Sequence, residues 1–280
     1  MKLARRSLAA FALTPALARA EALVKLEAES GGRLGVAILD SATGRLTGQR
    51  LDERFAMTST VKLLLAAALL ARADAGQEAL DRRVRVERTA LVPWSPVTET
   101  RTDAAGLSLA ELAEAMMTIS DNTAANLILD ALGGSAALNA FLRALGDATT
   151  RLDRPEPALN EARPGDPRDT TTPAAMVRTL AAVCASPVLS DAARAQLLGW
   201  MAANRTGGPL LRAGLPAGWR IGDRTGAGGF HSRGVVAMLS PPEGAAPLFI
   251  AAYLHEGPAA MAARDAIFAR LGAMIAGGRA

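Results

Sequence analysis

The chain has 280 residues, half of them hydrophobic and 21% charged, which is enough apolar material for one compact unit or two closely packed subdomains and excludes disorder throughout. The formal net charge is +4, but the arginines are scattered and no long basic run occurs, so the footprint of a nucleic-acid binder is missing while small anionic ligands stay compatible. The single cysteine, Cys184, excludes an intramolecular disulfide, and with only His231 and His255 the chain offers no spaced set of zinc ligands.

Residues 1–20 read as an export leader. Lys2, Arg5 and Arg6 make a positive start, residues 7–17 are apolar, and Ala18-Arg19-Ala20 has the small-x-small form of a cleavage site. Arg5-Arg6 also admits the twin-arginine route. The mature protein is expected to begin near Glu21 and to lie in the periplasm or outside the cell. No later run of about 20 uninterrupted apolar residues suggests a membrane anchor.

Residues 21–280 read as one domain. Helical spacing over residues 21–30 ends at Gly31-Gly32, and residues 34–39 and 45–50 read as strands around a turn at 40–44. From Ser59 to about Ala185 the pattern is mostly helical, with segments at 61–73, 109–119, 123–132 and 136–145. Residues 151–172 break that pattern with four prolines, many charges and no apolar period, and long ordered loops of this kind often carry function. Strand patterns return at 219–223, 234–239 and 248–254, followed by an amphipathic helix over 258–276. Strands at both ends with helices between them predict an α+β fold. In it a five-stranded antiparallel sheet is built from residues of about 21–57 and 203–280, flanked by helices, with an all-α part of about 58–202 inserted.

Three short segments hold candidate chemistry. The cations are nearly all arginine, and Lys2, Lys25 and Lys62 are the only lysines. Arginine does not lose its proton in a protein and lysine can, so Lys62, inside an apolar run, is a candidate proton carrier. It stands three residues after Ser59, a spacing that shares a helix face, and Ser59 opens the helix where N–H donors and the positive dipole end favour an oxyanion. Taken alone, Ser59 is equally well a helix cap and Lys62 a snorkelling side chain. Ser120-Asp121-Asn122, between two apolar helices, offers a second hydroxyl and an amide, or is simply another cap. Arg224-Thr225-Gly226 can hold a carboxylate, with Gly226, Gly228 and Gly229 allowing close backbone approach, or is a glycine-rich strand end.

In this order the three segments resemble the S-x-x-K, S-D-N and K-T-G signature of class A β-lactamases and penicillin-binding proteins. The resemblance to class A runs from about Leu23 to the C-terminal helix. Residues 55–62 resemble the nucleophile segment, and residues 94–99 the segment that places an aromatic residue, here Trp94, at the pocket rim. Residues 151–173 resemble the omega loop, within which Glu156-Pro157-Ala158-Leu159-Asn160 matches E-P-x-L-N. The usual lysine of K-T-G is Arg224 here, a form that class A also contains.

The resemblance implies hydrolysis of a β-lactam and antibiotic resistance, by a monomer whose partner is the small-molecule substrate, with no metal or cofactor. Ser59 is then the nucleophile, its proton leaving through Lys62 or through Glu156 and water, and Ser120 passes a proton to the lactam nitrogen. Glu156 is the base for the deacylating water that Asn160 helps to hold. Arg224, Thr225, Gly226 and Arg233 form the substrate-carboxylate side, Asn122 meets a substrate carbonyl, and the N–H groups of Ser59 and Ala227 form the oxyanion hole. It also implies an Arg154–Asp169 ion pair closing the loop and a cis peptide before Pro157. The rivals are a D,D-peptidase or penicillin-binding protein and a covalent β-lactam sensor. Glu156 speaks against the first, and the absence of an evident anchor and the presence of the omega loop speak against the sensor.

Overall fold

The computed structural model describes residues 15–103 and 105–278, with side chains from Arg19 onward. Residues 1–14 of the expected leader lie outside this range, and its remainder forms the first turns of α1 (Pro15–Ser30). Five strands make one sheet: β1 (Arg33–Asp40), β2 (Leu46–Gln49), β3 (Arg220–Ala227), β4 (Arg233–Ser240) and β5 (Leu248–His255), in the order β2-β1-β5-β4-β3 with every pair antiparallel. The start of the sheet region therefore pairs with its end, Leu34 opposite Leu254, as the strand pattern predicts.

The period of two along the strands decides which side chains meet which helices. Leu248, Ile250, Ala252 and Leu254 of β5 join Leu23 and Leu26 of α1 and Phe268, Leu271 and Ile275 of α8 (Met261–Gly277) in one core. Phe249, Ala251 and Tyr253 point the other way, into a larger core with α2 (Val61–Asp74), α3 (Leu109–Thr118), α4 (Asn122–Leu132), α5 (Ser135–Ala144), α6 (Pro173–Ala185) and α7 (Asp191–Ala202). A sheet covered on both faces explains why its three central strands, β1, β5 and β4, read as nearly continuous apolar runs. Within the larger core α2 is buried at every position from Val61 to Leu70, Lys62 included. A helix that is apolar all round belongs at the centre of such a core.

One strand differs from its sequence pattern. β3 continues beyond Asp223 through Arg224, Thr225 and Gly226 to Ala227, because those residues pair with the apolar start of β4, Thr225 opposite Val235 and Gly226 opposite Gly234. The pairing partner, rather than the local composition, keeps this polar, glycine-containing end extended. Two short ladders also went unread in the sequence: Phe55–Ala56 with Thr170–Thr171, and Arg83–Val84 with Leu107–Ser108.

The first of these ladders fastens the end of the loop over residues 151–172 to the segment just before Ser59. The rest of the loop is pinned by side chains. Asn139 exchanges two hydrogen bonds with the backbone of Leu152, at 2.8 and 2.9 Å. Asn126 does the same for Glu156, receiving its N–H at 2.8 Å and donating to its carbonyl at 2.9 Å. The Arg154–Asp169 pair is formed, with Nε donating to Oδ2 at 2.6 Å, and the Glu156–Pro157 peptide is cis. Asp169, 1% exposed, also accepts the N–H groups of Asp153 and Arg154 at 2.8 and 2.9 Å. Removing that carboxylate strands two backbone donors and takes from Arg154 one of its two carboxylate partners, Glu161 remaining. Asp169→Ala should therefore lose about 2–4 kcal/mol of unfolding free energy in a urea titration; a loss below about 1 kcal/mol would show that the loop is held elsewhere.

Candidate active site

The three segments converge on one cavity of about 360 Å³. The 3-10 turn Thr58–Thr60 leads into α2 and brings Ser59 to the cavity floor. Ser120 and Asn122 come from the α3–α4 junction, and Thr225, Gly226 and Ala227 from the edge strand β3. Asn160 arrives from the loop, held by its carbonyl accepting the N–H of Gly229 at 2.9 Å, and Arg233 from the start of β4. Trp94, 65% exposed, stands at the rim, its indole N–H donating to the Ile119 carbonyl at 3.0 Å. Lys62, Glu156 and Arg224 lie beneath this surface and are buried.

Close approach explains the glycine of Arg-Thr-Gly. A Cβ on Gly226 would stand 2.1 Å from Thr58 Oγ1 and 3.0 Å from the Ser59 nitrogen. Only a residue without a side chain lets β3 pass this near the turn that carries Ser59. Asp121, by contrast, faces inward: it caps α4 through the Ala124 N–H and takes the N–H groups of Val97 and Thr98 and the Thr98 hydroxyl at 2.8–3.0 Å. It fixes the junction rather than lining the cavity.

The polar groups form one connected network. Ser59 Oγ donates to Glu156 Oε1 at 3.3 Å, and Lys62 Nζ lies 3.0 Å from the same oxygen. The three-residue spacing puts Ser59 and Lys62 on one face, and the structure joins them through the carboxylate. Lys62 Nζ also donates to the Ser120 carbonyl at 2.9 Å, to Ser120 Oγ at 3.1 Å and to Asn122 Oδ1 at 2.5 Å. Asn122 directs one amide N–H to the Pro93 carbonyl at 2.8 Å, which leaves its other N–H for a ligand. Asn160 Nδ2 donates to Glu156 Oε2, while Asn160 Oδ1 has no partner. Ser120 Oγ accepts from a second cation, Arg224 Nη2, so two N–H groups occupy its lone pairs and its own proton points away from both.

Burial pushes the Lys62 ammonium down to about 8 from its ordinary 10.5, against the pull of the Glu156 carboxylate, and the nearby Arg224 guanidinium lowers it further. The amine can thus exist uncharged near neutral pH. Burial likewise brings Arg224 down to about 10, which still leaves it charged at pH 7. Among the described residues no carboxylate lies within 4.0 Å of Arg224, so its charge is available to an anion. Arg233 is tethered differently, donating to Asp265 Oδ1 on α8 at 2.7 Å and to the Gly226 carbonyl at 3.2 Å.

Several contributing residues carry no local signal. Thr206 and Met261 line the cavity, and Thr206 bonds to both Thr225 Oγ1 and Arg224 Nη1. Asn204 accepts from Thr206 and donates to Asp223, which Arg212 pairs at 2.8 Å. His255 Nε2 accepts the N–H of Ala56 at 3.1 Å, and burial lowers it to about 4, so it serves as a neutral acceptor behind the nucleophile segment. His231 is exposed and donates from Nδ1 to the Gly257 carbonyl at 3.2 Å, outside the network.

The sequence profile of the beta-lactamase enzyme family matches residues 18–277. An ancestral class A β-lactamase is 56% identical, with 92% of this chain and 98% of that one covered and a TM-score of 0.90. The class A β-lactamase of the last common ancestor of Gram-negative bacteria is 55% identical over 94% of this chain and all of the other, with a TM-score of 0.92. PenP, a candidate class A β-lactamase from Rhodopseudomonas palustris, is 52% identical over 93% and 99%, with a TM-score of 0.90. With its sheet, its cavity and its three motifs in place, the chain belongs to the class A serine β-lactamases.

Proposed function

We propose that this β-lactamase works through an acyl-enzyme on Ser59 that is cleared by water activated by Glu156. The observation that carries the reading is the shared oxygen, Glu156 Oε1, within hydrogen-bonding reach of both the Ser59 hydroxyl and the Lys62 amine. In this reading the substrate carboxylate docks on Arg224 and Thr225, with Arg233 at the edge, and the N–H groups of Ser59 and Ala227 receive the developing oxyanion. Ser59 attacks the lactam carbonyl. Its proton leaves to Glu156 Oε1 or to the neutral Lys62 amine, and Lys62 can pass it onward to Ser120, so acylation keeps a base when Glu156 is replaced.

Ser120 then donates to the lactam nitrogen. Its hydroxyl proton is free for this because Lys62 and Arg224 occupy its acceptor side. Deacylation needs a base beside the ester. Glu156 supplies it, with Oε2 fixed by the Asn160 amide and the unpartnered Asn160 Oδ1 ready to accept from the attacking water.

Intact-mass spectrometry with a penicillin, read beside turnover of a chromogenic cephalosporin, tests the two roles together. Ser59→Ala should form no adduct. Glu156→Ala should acylate, then stall near one equivalent, with turnover reduced by roughly 10²–10⁴-fold or more. Wild-type turnover in Glu156→Ala would remove it as the deacylation base, and a stable adduct on the unmodified protein would identify a penicillin-binding protein or sensor. Lys62→Arg keeps the charge but cannot supply a neutral amine. It should lose activity nearly as fully as Lys62→Ala, whereas a variant retaining most of its kcat/KM would reduce Lys62 to an electrostatic role.

A further inference from the structure

A second concave site lies on the far side of the loop and shares no residue with the cavity around Ser59. It is a crevice of about 280 Å³ between loop residues 162–168 and the body of the protein, where Arg33, Arg54, Ala56 and His255 form the opposite wall. Five arginines line it: Arg33, Arg54, Arg154, Arg163 and Arg168. Four of them have carboxylate partners. Arg33 meets Glu53 at 2.8 Å, Arg154 meets Asp169 and Glu161, Arg163 meets Glu161 at 3.0 Å and Arg168 meets Asp166 at 2.6 Å.

Arg54 is the exception. Its Nη1 donates only to neutral oxygens, the Thr149 carbonyl at 3.1 Å and Thr170 Oγ1 at 2.9 Å, and no carboxylate lies within 4.0 Å among the described residues. Its Nε and Nη2 carry no hydrogen bond. The five guanidinium groups of the crevice thus share four carboxylates, of which only Glu53 and Asp166 line it and Glu53 also serves Arg50, and the unmatched Arg54, itself exposed, stands on the concave wall. The pairs on the loop side are partly exposed, with Arg163 and Arg168 side chains 63% and 47% accessible, and such pairs hold their partners weakly.

We infer that this crevice binds a compact multivalent oxyanion of the diphosphate class, bridging Arg54 on the body to Arg163 and Arg168 on the loop. Guanidinium forks match phosphoryl oxygens in pairs. The volume takes on the order of nine water-sized groups, the heavy-atom count of a diphosphate. Occupancy ties residues 163–168 to the segment that leads into the Ser59 turn and so stabilises the folded loop by mass action. The claim is independent of the catalytic roles proposed above.

Isothermal titration of the full chain with sodium pyrophosphate, at ionic strength held constant with chloride, tests it. The expected result is saturable one-to-one binding and a thermal midpoint that climbs with pyrophosphate concentration. Arg54→Gln should weaken binding roughly tenfold or more, and Arg163→Gln, on the opposite wall, should weaken it too. Thr225→Ala, in the other cavity, should bind as the unmodified protein does. Circular dichroism checks that each variant folds; if Arg54→Gln does not, Arg163→Gln decides. Heat no greater than the chloride control, undiminished binding in the arginine variants, or loss in Thr225→Ala alone would overturn the inference, the last by placing the anion beside Ser59.

Discussion

The structure depends on one buried ion pair. Lys62 and Glu156 meet at 3.0 Å with side chains 0% and 1% exposed, between the floor of the cavity and the apolar core around α2. Two charges taken out of water are tolerated only when their attraction is reinforced by hydrogen bonds to the remaining donors and acceptors. Those bonds come from every neighbouring element: Ser120 and Asn122 at the α3–α4 junction for the amine, Asn160 and Ser59 for the carboxylate. Asn126 adds the backbone clamp on Glu156. The arrangement of helices around α2 can be read as the scaffold that this pair requires.

The same pair links stability to chemistry. A lysine fully in water would be protonated at neutral pH, and a lysine alone in the core would shed its proton. Here burial drives the amine down and Glu156 holds it up, and the balance near 8 is the range in which a side chain exchanges protons readily. Arg224 contributes from the other side. It lowers the lysine further, donates to the same Ser120 hydroxyl and, with no carboxylate within 4.0 Å among the described residues, is the charge that the proposed mechanism assigns to an incoming anion. A guanidinium in this place holds a fixed charge with no option of proton transfer, so in the proposed mechanism that task falls to Lys62.

Much of this was legible because its signals are local. The strand patterns at both ends, the apolar run of α2 and the proline-rich loop announce themselves within a few residues, and Ser59 to Lys62 or Glu156 to Asn160 lie within one turn of chain. What stayed hidden depends on partners far away in sequence. Asn126 is an ordinary helix residue until it meets Glu156, 30 residues on, and His255 an ordinary strand histidine until it accepts from Ala56, 199 residues back. The extension of β3 through Arg224 and Thr225 came from pairing with β4, which local propensity does not encode. The insertion of Glu156 between Ser59 and Lys62 is of the same kind: helix spacing brings the two side chains to one face, but the loop decides what stands between them.

The central claim is that Lys62 is poised to give up its proton at physiological pH while paired with Glu156. With only three lysines in the chain, Lys62 can be followed by NMR of isotope-labelled side-chain amines across a pH titration. The account predicts a midpoint at about 8, moving lower in Glu156→Gln because the carboxylate is what holds the proton on. A midpoint that stays at the ordinary 10.5, or one that does not move when the carboxylate is neutralised, would contradict it.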